Sequence, residues 1–394
     1  MHRACFVLLA TLYGCAVSGP DASRTSMPLL PPAASAEPGL IQPTQLTFPD
    51  RFVKAGEAYF DASGRRVVFQ AIERNASGEP ESPHYAMYVA DLAQAEAGDR
   101  AMDRAFALVN VRRVSPVGSA NTCGWFDPRD PDTLYFASTV TPPAEGPAPG
   151  YQRDGRTYRW AFPPEMRIVK LDLRAVDGTA ASLQSVTGDG KGYVAEGALS
   201  ADGRTLLFTR LVDGEGDLFT LDLPTGEITQ LVEAPGYDGG AFFSPDGSRI
   251  VWRGDRNRDN LLQLREARVR RDGSGRVTAV EGERPLTDDE HVNWAPYWTP
   301  DGRAVVYATS REGHRNYEVF AVDVPADDDP SLPRPRRVTA AEGADLLPAI
   351  SPDGRLLMWT SQRGEDRSSQ LWIARIGPDS PIGAASASPT SANP

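Results

Sequence analysis

The chain has 394 residues, enough for one large or two ordinary domains with a sizeable core, and its 41 basic against 53 acidic residues leave a net charge of −12. Nucleic-acid affinity is dominated by basic contacts to phosphate, so this balance excludes nucleic acid as an expected partner. Gly 36 and Pro 34 suit a protein of strands and turns better than a helical one.

In chain order, residues 1–15 read as an export signal: "MHR" precedes the apolar run Ala4–Gly14, which is too short to span a bilayer as a helix. Leu12-Tyr13-Gly14-Cys15 is similar to a bacterial lipobox, in which Cys15 would carry lipid. Simple cleavage and secretion is the alternative, Tyr13 being bulkier than that pattern usually has. Residues 16–43, rich in Pro, Ala and Ser, read as a tether, and residues 378–394 as a disordered tail of the same character. Cys123 stands alone once the N-terminal cysteines are set aside, so no intrachain disulfide is expected, and it reads as a small core residue.

Between these ends the chain repeats itself. "FFSPDGSRIVW", "YWTPDGRAVVYATS" and "AISPDGRLLMWTS" are near copies, and weaker ones stand at Ser200-Ala201-Asp202-Gly203, at Asp61-Ala62-Ser63-Gly64 and, stretched, at Asp127 to Thr133. The three near copies each predict a tight turn: Pro fixes φ, Asp favours the turn, and Gly takes a positive φ. A β-branched or aromatic run follows each turn, then a second apolar segment ("MYVADL", "RIVKLDL", "LFTLDL", "LLQLREA", "EVFAVDV", "LWIARI") and, in five copies, a third ("VRRVS", "LQSVT", "ITQLV", "RPLT", "RRVT"). With the strand before the turn, each unit has four short antiparallel strands, the blade of a β-propeller. The sixth copy lacks its last strand, and "TQLTF" at residues 44–48 is expected to supply it, closing the ring and removing exposed edges.

The fold class expected is therefore all-β, a six-bladed propeller over residues 44–377 closed by an N-terminal strand. "SPDGSRIVW" and "SPDGRLLMWTS", with the "LW", "VFAVD" and "LT" segments, resemble the WD-repeat-like blades of the TolB-type six-bladed propeller. The resemblance implies a fold more firmly than a function. TolB carries an α/β domain before its propeller, through which it engages the Tol machinery. Only the signal and tether precede Gln45 here, so that membership does not carry over. The related propellers of prolyl-oligopeptidase-like enzymes precede a hydrolase domain, and no GxSxG elbow occurs in this chain.

A binding site is expected where the innermost strands begin, at the channel mouth. Nine places before the turn Gly stand Ala55, Val194, Asp238, Asn293 and Asp345, with Asn121 in the stretched second copy. Tyr193, Tyr237, His291, Glu57 and Glu196 lie close by. Such a ring suits a ligand with amine or hydroxyl donors, or an inserted peptide; the plainer alternative is that Asn and Asp here cap strand starts. The long stretch Val140–Pro164, with Arg159 and Trp160, belongs to a loop on the same face and reads as an interaction loop.

Asp255, Asn257, Asp259 and Glu266 match calcium-loop positions 1, 3, 5 and 12, but Asn260 replaces the required Gly and a polar hairpin is the expectation. The few His lack metal-ligand spacing, and no metal or cofactor is expected. The function expected is a non-enzymatic binding module, monomeric, exported to the periplasm or outer membrane and touching membrane only through lipid. Its partner would be an envelope protein, a peptide segment or a small polar ligand. The alternative is a hydrolase or lyase using Glu57, Glu196 and Asp238 at the mouth.

Overall fold

The computed structural model describes residues 37, 39–94, 105–144, 150–154, 157–161, 163–175, 179, 182–187, 192–212 and 215–382; the signal, Cys15 and most of the tether lie outside them. Strand β1 (Leu40–Gln45) comes first. The first blade is β2 (Phe52–Phe60), β3 (Arg66–Glu73), β4 (Ala86–Gln94) and β5 (Phe106–Arg113). The second begins with β6 (Asn121–Phe126) and β7 (Thr133–Ser138), is interrupted by a hairpin of β8 (Gly150–Asp154) and β9 (Thr157–Ala161), and resumes with β10 (Arg167–Asp172) and β11 (Leu183–Ser185). The third comprises β12 (Val194–Leu199), β13 (Thr205–Val212), β14 (Glu215–Asp222) and β15 (Glu227–Val232). The fourth comprises β16 (Asp238–Phe243), β17 (Arg249–Gly254), β18 (Gln263–Arg271) and β19 (Val277–Pro285), and the fifth β20 (Asn293–Trp298), β21 (Ala304–Thr309), β22 (Glu318–Asp323) and β23 (Arg336–Arg337). The sixth is β24 (Asp345–Ile350), β25 (Leu356–Ser361) and β26 (Gln370–Ile376), completed by β1 in the order β1-β26-β25-β24. The molecule is a six-bladed β-propeller of four-stranded antiparallel blades.

The repeated turns owe their shape to one hydrogen-bond pattern. Ser244 Oγ donates to Asp246 Oδ1 at 2.6 Å and accepts from the Arg249 amide at 2.9 Å, while the amide of Gly247, at φ 69°, donates to the Ser244 carbonyl. Thr299 with Asp301 and Ser351 with Asp353 repeat the hydroxyl-to-carboxylate bond at 2.6 Å. The hydroxyl and the carboxylate thus satisfy amides that the reversing chain leaves unpaired.

The strand after each turn is wedged between neighbouring blades, so it reads as an unbroken apolar run rather than an alternation. Val67–Phe69, Leu206–Phe208, Ile250–Trp252, Val305–Tyr307 and Leu357–Trp359 are all fully buried.

Closure by an N-terminal strand holds, with a different span. β1 pairs with β26 through Leu40↔Ile376, Ile41↔Arg375, Thr44↔Ile373 and Gln45↔Trp372, and the contact continues where the Leu46 amide donates to the Leu371 carbonyl and the Leu371 amide to Thr47 Oγ1. Within the stretch expected to be tether, Glu37 binds Arg363. Within the expected tail, Ser380 and Ile382 are buried, and the Gly377 amide donates to the Gly39 carbonyl. In the fourth blade the outer strand starts at Val277, ahead of "RPLT", because Asp272 accepts the amides of Ser274 and Arg276 and makes "DGSGR" a tight hairpin. No helix among the described residues is long and apolar enough to cross a membrane.

Candidate functional site

Every innermost strand carries one residue with positive φ: Glu57 (45°), Cys123 (54°), Glu196 (56°), Gly240 (58°), Ala295 (51°) and Leu347 (53°). Five of them stand seven places before the turn Gly. Each coincides with a break in register against the next strand, so each is a β-bulge that re-aims a side chain. Only one of the six is glycine, although the left-handed region disfavours any residue with a Cβ. All six line one cavity of about 250 Å³ on the channel axis.

Two residues beyond the bulge, Tyr59, Trp125, Phe242 and Tyr297 project from four blades, while the other two blades have Ala198 and Ala349. The four rings meet: every pair has centroids between 5.2 and 6.4 Å apart. They form the floor of the cavity and separate it from a second space of about 270 Å³ among the prolines of the opposite turns, Pro128, Pro245, Pro300 and Pro352. The channel is a blind cup.

Its wall is divided by chemistry. Glu57, Thr122, Cys123, Tyr193 and Glu196 make a polar arc across three blades; Trp294, Ala295, Pro296, Leu346, Leu347 and Pro348 make an apolar one. Glu196 accepts from Thr209 Oγ1 at 2.9 Å, Tyr237 OH at 2.5 Å and the Gly240 amide at 2.7 Å, and pairs with Arg253. Arg253 stacks between the rings of Tyr237 and Trp294, at 5.5 and 5.9 Å. Burial works against its charge, but Glu196 and its neighbours more than compensate, holding it above the usual arginine value. Position 240 takes glycine for space rather than for φ, which residues with a Cβ adopt at the other five bulges: a Cβ there would overlap the Arg253 guanidinium. Glu57 accepts from Thr122 Oγ1 and Cys123 Sγ, each at 3.0 Å, and from Tyr59 OH at 3.4 Å. Burial raises its carboxyl above the usual value, partly offset by those bonds. Burial likewise raises the Cys123 thiol and the Tyr193 and Tyr237 phenols, so these groups are neutral donors. Cys123 is thus a cavity-wall residue rather than the core residue expected.

No protein-family model matches the chain. An uncharacterized protein of Agrobacterium fabrum is 30% identical over 128 residues, 32% of this chain and 38% of that one. The Tol-Pal system protein TolB of Wolinella succinogenes is 29% identical over 193 residues, 48% of this chain and 41% of that one. These alignments span only about two-fifths of either relative. Among solved structures, TolB of Acinetobacter baumannii superposes with a TM-score of 0.51 at 17% identity, over 81% of this chain and 65% of that one. A putative TolB from Agrobacterium tumefaciens gives 0.50 at 15% identity, over 86% and 98%. The fold is that of the TolB-like propellers.

Of the residues expected at the mouth, the cup gathers Ala55, Glu57, Tyr193 and Glu196, with Tyr237 behind Glu196. The Asn/Asp ring lies deeper in the blades and is internally bonded. Asn121 donates to the carbonyls of Tyr85 and Ser119; Asp238 accepts from Trp252 Nε1 at 2.8 Å and pairs with Arg256. Asn293 donates to Gln263 Oε1 and Asp289 Oδ1, both at 2.9 Å, and Asp345 accepts from Trp359 Nε1 and Arg363. These four anchor the starts of innermost strands. His291 is half-buried beside them, its amide on Asp289 and its carbonyl on Gln263.

The stretch expected to be an irregular loop instead contains the β8–β9 ladder, in which Arg159 stands opposite Gln152 and Trp160 opposite Tyr151. It leaves the blade where β7 and β10 meet at Ser138↔Arg167, beside Asn121, so it rises on the mouth side. Asp255 accepts the amides of Asp259 and Asn260, whereas Glu266 is buried between Arg249 and Arg284, so the calcium-loop residues, Asn257 among them, do not converge. Among the described residues no group of three or more His, Cys, Asp and Glu is placed to hold a metal. Sequence reasoning singled out Glu57 and Glu196, seven places before the turn Gly, but missed that this offset is a bulge shared by every blade and so missed Cys123, Gly240, Ala295 and Leu347.

Proposed function

We propose that this chain is an exported, non-catalytic binding propeller of the bacterial envelope, acting as TolB-like propellers do in a Tol-Pal-type setting, which receives a protein segment or small polar ligand in the cup. The observation that carries this is the six-fold bulge ring, which turns one residue from each blade onto a blind, half-polar and half-apolar cavity. The β8–β9 hairpin on the same side adds a second contact surface, with Arg159 and Trp160 its proposed contacts. The rival reading, a carboxylate hydrolase or lyase, is supported by Glu57 and Glu196 sharing one cavity. Against a hydrolase, Glu196 is consumed by three donors and an ion pair, and Asp238 is paired with Arg256 away from the cup, leaving one carboxylate without a cation where a two-carboxylate glycoside hydrolase needs two.

The test is capture of envelope proteins by the mature chain, with Trp294→Ala and Leu347→Asp in the cup wall as controls. Capture that is lost in both while folding persists supports the reading; capture unchanged in both overturns it. Lipid attachment at Cys15 belongs to the same proposal: Cys15→Ser should release the protein from membranes and abolish fatty-acid labelling, and wild-type protein found only in soluble form refutes it.

A further inference from the structure

Within the cup, one carboxylate has no cation. The other buried acids near the axis are paired, Glu196 with Arg253, Asp238 with Arg256 and Asp345 with Arg363. Among the described residues Glu57 accepts only from neutral donors, and no Lys, Arg or His lies within ion-pair distance of it. Its Oε2 accepts a single bond, from Thr122, so a carboxylate that can take about four donors has room for another.

A second observation lies beside it. Gln70 lines the same cavity, is only 8% exposed, and its Oε1 is buried without a hydrogen-bond partner. In the ladder of the first blade Gln70 stands opposite Gly56, the residue before the Glu57 bulge. A buried acceptor left unsatisfied costs free energy, which a ligand donor seated beside it would recover. The wall nearby also accepts positive charge: Lys54 lays its ammonium 4.6 Å from the centre of the Tyr85 ring, and Tyr85 lines the cup.

We propose that Glu57 Oε2 and Gln70 Oε1, with the Tyr85 ring beside them, seat a primary ammonium whose apolar remainder lies against Trp294, Leu346 and Leu347. An ammonium offers three donors and no acceptor, matching two oxygens and a π face, and the cup of about 250 Å³ holds a compact hydrocarbon as well. Of the charged side chains that line the cup, two are acids, Glu57 and Glu196, and one is basic, Arg253, which is already paired with Glu196. Burial raises the Glu57 carboxyl above its usual value, and a cation seated beside it favours the ionised form. This inference rests on the binding reading above and names its ligand chemistry.

The probe is 2-phenylethylamine titrated into the full chain and followed by calorimetry, with 2-phenylethanol and phenylacetate as same-shaped neutral and anionic controls. The amine should bind about tenfold tighter than the alcohol, and phenylacetate weaker than either. Glu57→Gln should bring amine and alcohol to within about twofold, and Gln70→Leu should weaken the amine severalfold without affecting the alcohol. Urea midpoints establish that both variants fold. A Phe-Gly-Gly-Gly peptide and its N-acetyl form separate the sources: binding of the free peptide alone identifies a chain terminus, and binding of only the small amine a free metabolite. An amine that binds no better than the alcohol, or that binds both folded variants as it does wild type, overturns the seat. If the amine shows no preference while Trp294→Ala still abolishes partner capture, the seat falls and the binding reading stands. If the preference is found and no partner is captured, the seat stands and the cup takes a small ligand rather than a protein segment.

Discussion

Closure of the ring rests on a buried three-residue latch, and Arg363→Met tests it. Arg363 binds the Glu37 carboxylate at 2.8 and 2.9 Å and Asp345 Oδ2 at 2.6 Å, joining the segment before β1 to the last blade. The Arg363, Glu37 and Asp345 side chains are 10%, 8% and 1% exposed. Removing the guanidinium leaves Asp345 with Trp359 Nε1 alone and Glu37 with the Ala340 amide. Stranding a buried charge costs about 3–5 kcal/mol, and the contacts of Arg363 over the Trp359 and Trp372 rings, at 4.9 and 5.5 Å, add about 0.5–1 kcal/mol each. Glu37→Gln keeps a hydrogen-bonding side chain beside Arg363 and leaves Asp345 paired, so it should cost only about 1–2 kcal/mol. Urea denaturation followed by tryptophan fluorescence measures both through the midpoint at constant slope. A loss below about 1 kcal/mol for Arg363→Met, or equal losses for the two variants, would refute the latch.

Three further outcomes are expected. Burial lifts the Asp238 carboxyl to about 6 despite Arg256 and Trp252. The folded chain therefore holds that proton more tightly than the unfolded one, and the contribution is full below about pH 4 and lost as pH rises through about 6. Asp238→Asn should remove this slope, shifting the wild-type minus variant stability by about 3 kcal/mol between pH 3.5 and 7; parallel pH profiles would contradict it. Gly240→Ala should cost about 3 kcal/mol or more in urea unfolding, because its Cβ displaces Arg253 from Glu196 at a positive φ; a change under 1 kcal/mol would mean the pair does not need that space. Gly39→Ala, at φ 86° with its Cβ against the Ser380 backbone, should lower the thermal midpoint, whereas an unchanged midpoint would show that the 377–382 segment does not hold β1.

The sequence alone determined the architecture, because a propeller blade is a local object. Turn chemistry of the Ser244-Pro245-Asp246-Gly247 kind, a fully apolar strand after it and the spacing of copies are all written within a few residues, and the missing sixth outer strand pointed to the N-terminus. What it placed less well was the extent of closure: Glu37 and Leu40 join the fold through partners more than 300 residues away, and Ile382 packs into the cluster of the fifth and sixth blades, which local composition does not record. The site divided the same way. Asn121, Asp238, Asn293 and Asp345 stood out because a polar residue recurred at one offset, but that recurrence reflects a repeated structural need, bonding the start of each innermost strand, and so it marks what the blades share. A ligand cup in a ring of similar blades depends on what they do not share. Glu57, Cys123, Glu196, Gly240, Ala295 and Leu347 occupy one bulge with six different environments. Only the tertiary structure brings them around an axis, sets four aromatic rings beneath them as a floor, and supplies a cation to Glu196 while leaving Glu57 without one.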